Sequence, residues 1–195
     1  GPFESSQGAL LLYFREGPAN FAVSQRNMGT VSEEAIFVDT NEMEWKPSMV
    51  PHDRTLVDKA EPLYTKVLYR SPITEFRHTD EDGNPINYYS RLVRAAPGWG
   101  DTRLSHHPVM EEGYILEGEM DYNFGKLTPG TYFWRPPRIK HGYFNTSDKG
   151  MVFLARDDGE LVNLHTDRHG NPINYDSDSD LSPITAEPVR SVSFG

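Results

Sequence analysis

Cysteine is missing altogether from the 195 residues. Its absence excludes disulfides, Cys-ligated zinc and thiol catalysis together. A disulfide-stapled secreted scaffold is excluded with them, so a cytoplasmic setting is the default expectation. Long apolar runs are missing too. The longest, Ala9 to Phe14, is far short of the roughly 20 residues a membrane helix needs. The N-terminus lacks the basic start of a signal peptide, so the expectation is a soluble chain with no membrane partner. Positive charge is scarce. Lys and Arg number 19 against 29 Asp and Glu, a net charge of -10 that would repel phosphate backbones and anionic lipid. Nucleic acid is therefore not an expected ligand. No stretch sustains a 3.6-residue apolar period, which argues against a helix bundle.

What the chain does have is turns and short β-prone runs. Sixteen Gly, fifteen Pro and 12% aromatics suit many strands punctuated by bends. The runs are Ala9 to Phe14, Ala35 to Val38, Tyr64 to Tyr69, Tyr88 to Ala95, Gly113 to Leu116, Thr131 to Trp134 and Met151 to Ala155. Between them stand Glu-Asp-Gly-Asn-Pro at 81–85, Ala-Pro-Gly at 96–98, Thr-Pro-Gly at 128–130 and Asp-Asp-Gly at 157–159. The reading is all-β, a sandwich or barrel, and the length fits one domain of about 150 residues with trimmings.

Residues 1–29 read as an N-terminal strand and linker, 30–165 as the domain, and 166–195 as an extended tail that opens Asp-Ser-Asp-Ser-Asp at 176–180. Gly1 to Leu12 resembles the stretch from Gly142 to Leu154, which suggests the end of a preceding copy of the same domain. His78 to Ser90 and His165 to Ser177 share His-Thr-Asp-x-x-Gly-Asn-Pro-Ile-Asn-Tyr-x-Ser. That pattern suits a reused turn, with Gly supplying a positive φ and Asn-Pro starting a bend; a ligand or partner loop is the alternative.

Chemistry concentrates between Pro97 and Asn145. His106-His107-Pro-Val-Met-Glu111-Glu112-Gly-Tyr-Ile-Leu-Glu-Gly118 is followed by Gly130-Thr-Tyr-Phe-Trp-Arg-Pro136-Pro-Arg-Ile-Lys-His141-Gly-Tyr-Phe-Asn145. Imidazoles and carboxylates at the ends of neighbouring strands can converge on one metal and leave positions open for water or substrate. Alternation along a strand puts Ser105 and His107 on one face and His106 on the other, and it separates Glu111 from Glu112. A bulge would bring His106 in.

At these residues the chain resembles the cupin superfamily, whose motifs are Gly-x5-His-x-His-x3or4-Glu-x6-Gly and Gly-x5-Pro-x-Gly-x2-His-x3-Asn. Gly130, Pro136, His141 and Asn145 keep the second motif's spacing, with Arg138 where the motif has Gly. Glu111, Gly118 and His107 keep the first, with Ser105 where the motif has its other His. Pro97-Gly-Trp99 and the doubled His and Glu are most similar to anti-sigma-factor cupin domains and to dihydroxyacetophenone dioxygenase. The resemblance covers about 36–163 and implies a double-stranded β-helix, or jelly roll. It also implies one divalent metal on His107, Glu111 and His141, with His106 as a candidate fourth ligand. Fe(II) is favoured; Zn(II), Mn(II) or Ni(II) would also suit. A homodimer is implied too, because cupins commonly pair by adding or exchanging strands such as Ala9 to Phe14.

The expected function is a metal-dependent enzyme acting on a small organic molecule, foremost an oxygenase cleaving a C–C bond of a chelating substrate. The alternatives are a metal-dependent lyase, isomerase or hydrolase, and a non-catalytic cupin that senses metal or a small ligand. Glu112 and Tyr132 are the candidate proton movers. Arg138, with Arg135, is the candidate captor of a substrate carboxylate or phenolate. His52, His78, His165 and His169 lie outside the motifs and read as surface residues.

Overall fold

The computed structural model describes residues 38–48, 63–70, 89–159, 161, 163–166, 172–173 and 184–185. All belong to the second of the two compact units into which the chain divides, Val38–Gly195. The expected strand at Ala9 to Phe14, the resemblance of Gly1 to Leu12 to a preceding copy, and most of His78 to Ser90 lie outside the described residues.

Apart from one 3-10 turn, Thr40–Glu42, the regular structure among the described residues is β. The strands are β1 (Lys46–Pro47), β2 (Tyr64–Arg70), β3 (Tyr89–Ala95), β4 (Gly100–His106), β5 (Glu111–Tyr122), β6 (Gly125–Leu127), β7 (Tyr132–Arg135), β8 (His141–Asp157), β9 (Leu164–Thr166) and β10 (Pro172–Ile173). They hydrogen-bond in the order β1-β2-β3-β8-β4-β9-β10, while β5 pairs with β6, β7 and β8. Every pairing between these strands is antiparallel.

The 17-residue β8 organises the sheet. Its first residues pair with β4, as in Ser105↔His141, and its last seven pair with β3, from Ala95↔Met151 to Tyr89↔Asp157. One long strand thus passes from one sheet partner to another, which curls the sheet around a core. The hand-over falls at Gly150, whose φ of 69° suits glycine. A Cβ on the facing Gly118 would lie 2.0 Å from the Gly150 carbonyl oxygen, so the two backbones close on each other because neither carries a side chain. Inside the curl, Trp99, Ile115, Met120, Leu127, Phe133 and Met151 form the apolar core with Ala95. Their burial provides the main stabilisation.

Of the stretch 166–195, the described residues are Thr166, Pro172–Ile173 and 184–185. Pro172–Ile173 pairs with β9, and Ile184 forms a parallel bridge with Ile139.

Candidate metal centre

The strands bring their chemistry to one end of the curl. Glu111 is the first residue of β5, His141 the first of β8, Arg135 the last of β7, and His107 follows the last residue of β4. Ligand atoms of His107, Glu111 and His141 lie within 4.8 Å of one another, and all three side chains are buried. They line a cavity of about 120 Å³. Its lining is part polar, with Arg91, Asp101, Ser105, Arg135 and His165, and part apolar, with Val93, Trp99, Phe144, Phe153 and Leu161.

Loop contacts fix the two histidines. The Arg138 N–H donates to the His107 carbonyl at 2.7 Å, which joins the two motif loops. Ile184 clasps the second loop from outside, donating to the Arg138 carbonyl at 2.8 Å and accepting from the Lys140 N–H at 2.9 Å. His141 Nδ1 lies 2.9 Å from the Ile139 carbonyl. A carbonyl only accepts, so Nδ1 carries the hydrogen and Nε2 keeps its lone pair, the form a metal ligand needs. Burial, then Arg135 and His107, push the His141 pKa well below its ordinary value, more than Glu111 and the Ile139 carbonyl raise it. The ring is therefore neutral at physiological pH.

Glu111 is held as an anion. Burial alone would raise its pKa, but Arg135, the His107 hydrogen bond and Arg91 together hold it well below the usual carboxylate range. His107 Nε2 is 3.3 Å from Glu111 Oε2, and Arg135 Nη2 bonds the same oxygen. Arg91 reaches Glu111 Oε1 at 3.2 Å and also bonds Asp157. Register explains how so long a side chain fits. Arg91 faces Ala155, which faces Gly113, which faces Phe133, so two small residues lie between two large ones in a single cross-strand row.

A divalent ion fits this donor set: two imidazoles, at least one with a free lone pair, and a carboxylate that stays ionised. His106 stands apart. It is fully buried but neither lines the cavity nor joins the ligand cluster. The irregularity in the β4 and β8 register lies upstream, between Asp101 and Leu104, so alternation is intact where His106 pairs with Leu164. The bulge that would turn it inward is absent.

The structure places the other expected residues outside the cavity. Glu112 accepts from the Tyr132 hydroxyl at 2.6 Å and from Arg156 at 3.3 Å on the outer face of β5. Arg138 is not in the cavity wall, and its φ of 71° accounts for the glycine the second motif has there. Two features escaped sequence reasoning. Arg91 and Asp157 have no motif spacing to announce them. His165, read as a surface residue, is buried and lines the cavity, because Ser105 pairs with His141 on one side and His165 on the other. The row runs His141, Ser105, His165 across three strands, so the shortest side chain stands between two imidazoles.

Comparison with known proteins agrees with this architecture. No curated protein matches the chain. A solved structure of a proposed acetylacetone dioxygenase from Methylibium petroleiphilum PM1 is similar over 75% of this chain and 90% of that one, with 16% identity and a TM-score of 0.50. An RmlC-like cupin from Ralstonia eutropha JMP134 is similar over 73% of this chain and 78% of that one, at 17% identity and a TM-score of 0.47. An acetylacetone dioxygenase from Acinetobacter johnsonii is similar over 75% and 87%, at 15% identity and a TM-score of 0.43. At such identities the likeness is one of fold. The curled antiparallel sheet and the likeness to the first of these structures bear out the cupin fold that the motifs imply. The model of a domain family of unknown function, DUF4437, matches residues 12–164, and the chain belongs to that family, with a cupin fold.

Proposed function

We propose that the protein is a metal-dependent oxygenase that cleaves a C–C bond of a small chelating molecule. One observation carries the reading: three candidate ligands, His107, Glu111 and His141, gather in the wall of a small cavity, with Ser105 where a further histidine would stand. Ser105 Oγ donates to the His141 carbonyl at 3.5 Å, so its lone hydrogen is directed at backbone. A set of two imidazoles and one carboxylate with open positions suits Fe(II), which when bound supplies Lewis acidity and the one-electron chemistry that O2 requires.

The chain's own residues do the rest. His141 stays neutral and Glu111 stays anionic, so neither must shed a proton before ligation. Trp99, Phe144, Phe153 and Leu161 give the cavity an apolar lining that disfavours water. The cavity offers about 120 Å³, which suits a compact molecule.

Reconstitution with Fe(II) under anaerobic conditions, then oxygen uptake over a panel of hydroxyketones, diketones and catechols, tests the proposal. Uptake is expected only with a chelating substrate present. Turnover that runs equally well with Zn(II) and without oxygen overturns it and moves the protein to lyase or hydrolase chemistry.

A further inference from the structure

Among the described residues, the charges around the candidate metal centre balance before any metal enters. Arg91 and Arg135 supply two positive charges, Glu111 and Asp157 two negative ones, all joined by ion pairs. Their residue exposures are 2%, 7%, 3% and 0%, so solvent does little to screen them. Asp101 at the cavity wall is balanced separately by Arg103, at 2.8 Å. In this protein the ligand carboxylate is thus already matched by guanidinium. A divalent ion held by Glu111 and two neutral imidazoles would leave two positive charges without a counter-charge in a low-dielectric pocket, and an uncompensated buried charge is strongly disfavoured. Among the described residues nothing offsets that charge, so the balance favours a negatively charged ligand beside the metal.

One donor is placed to receive it. Arg135 Nε is buried and has no hydrogen-bond partner, although Nη2 of the same guanidinium is taken by Glu111. Arg135 lines the cavity beside the ligand cluster, and its guanidinium also stacks over Phe133 at 4.3 Å. An unsatisfied buried N–H on a charged group is costly, and an anion against the cavity face of the guanidinium would offset that cost.

Resting on the metal-dependent reading above, we infer that the substrate is a compact organic anion, a hydroxy or oxo acid or an enolate. Its charged oxygen is received by Arg135 while an adjacent oxygen meets the metal. Arg135 is the specificity-determining residue for that charge. The apolar wall of Val93, Trp99, Phe144 and Phe153 takes the hydrocarbon remainder.

The experiment loads the protein with Co(II), whose visible spectrum reports ligation, and titrates it with lactate and with lactamide, which match in shape and differ in charge. Lactate is expected to bind the Co(II) protein at least tenfold more tightly than it binds the Co(II)-loaded Arg135→Lys variant, which keeps the charge but loses the Nε donor. Lactamide should bind the two within about twofold. The wild type also decides without any variant: its preference for lactate over lactamide must exceed the preference that Co(II) shows for the same pair in free solution. A preference no greater than in solution, or one that survives in Arg135→Lys, overturns the inference and leaves the metal site standing. Failure of the wild type to take up Co(II) overturns the metal-dependent reading itself, and the inference with it.

Discussion

Glu111 and Glu112 are neighbours in one strand, of the same residue type and comparably covered, at 3% and 9% exposure, yet they belong to different parts of the molecule. Glu111 faces inward to Arg91, Arg135 and His107. Glu112 faces outward to Tyr132 and Arg156. Burial does not separate them; their partners do. The outer pair forms a cross-strand ladder of the sort any half-covered sheet face makes. The inner one joins two arginines, an aspartate and two imidazoles from β3, β5, β7, β8 and the loop after β4, and has a cavity in front of it. The period of two along β5 decides which carboxylate can serve a metal.

The sharpest way to break this comparison is to truncate each carboxylate. Glu111→Ala leaves Arg91 sharing only Asp157 and leaves Arg135 with no carboxylate partner among the ion pairs seen here, so a loss of about 3 to 5 kcal/mol is expected. Glu112→Ala removes a more accessible pair and one hydroxyl contact, for a loss of about 1 kcal/mol. Urea unfolding monitored by tryptophan fluorescence measures both. Divalent-ion binding by calorimetry should vanish in the first variant and persist in the second. Equal losses of stability and of metal affinity would mean that the two faces of β5 are not distinct.

Acidification should separate the inner site from the rest of the metal-free protein. His141 has a depressed folded pKa, so below its ordinary value of 6.5 the unfolded chain takes up a proton that the folded chain refuses, and stability falls with falling pH. Glu111 is depressed as well, so its contribution is present above its ordinary value of 4.5 and fades as pH drops from there toward the folded value. The expected curve declines from about pH 6.5 with a slope approaching 1.4 kcal/mol per unit for one proton, then steepens below about 4.5 as Glu111 adds to it. His141→Gln should flatten the upper segment alone. A stability flat between pH 6.5 and 4.5 in the wild type would contradict a neutral buried His141.

Sequence made some of this legible and hid the rest for physical reasons. The runs at Tyr64 to Tyr69, Tyr88 to Ala95, Thr131 to Trp134 and Met151 to Ala155 fall within or within one residue of β2, β3, β7 and the second half of β8, because each is rich in β-prone side chains and the last three stand beside a turn signal. β4 was invisible. The buried positions on its inner face are Asp101, Arg103 and Ser105, so that face is polar where a pattern search looks for apolar alternation. The strand that walls the site is hidden by the polar residues that make it a wall. The ligand trio was legible because motif spacing encodes which strand ends meet. Arg91, Asp157 and His165 were not, since they arrive by sheet pairing between segments distant in sequence, and nothing local marks them. The departure at Arg138 was legible as a departure, while its meaning, a left-handed backbone position filled by a bulky residue, needed the φ angle.

The smallest expected effect is the most informative about the outer face. Tyr132 is half exposed, and its hydroxyl donates to Glu112 at 2.6 Å. Burial and the Glu112 carboxylate both raise the phenol's pKa, more than Arg156 lowers it, so Tyr132 stays protonated across the physiological range and is a poor proton acceptor. Tyr132→Phe deletes one partly exposed hydrogen bond to a carboxylate that keeps Arg156 as its partner, so stability should fall by no more than about 1 kcal/mol. Metal affinity should stay within about twofold, because neither Tyr132 nor Glu112 lines the cavity. Calorimetry with Zn(II) or Co(II) on the variant measures it. A tenfold loss of affinity, or of oxygen uptake at unchanged affinity, would show that proton traffic crosses β5 from the outer face. It would also restore to Tyr132 and Glu112 the catalytic part that sequence alone suggested for them.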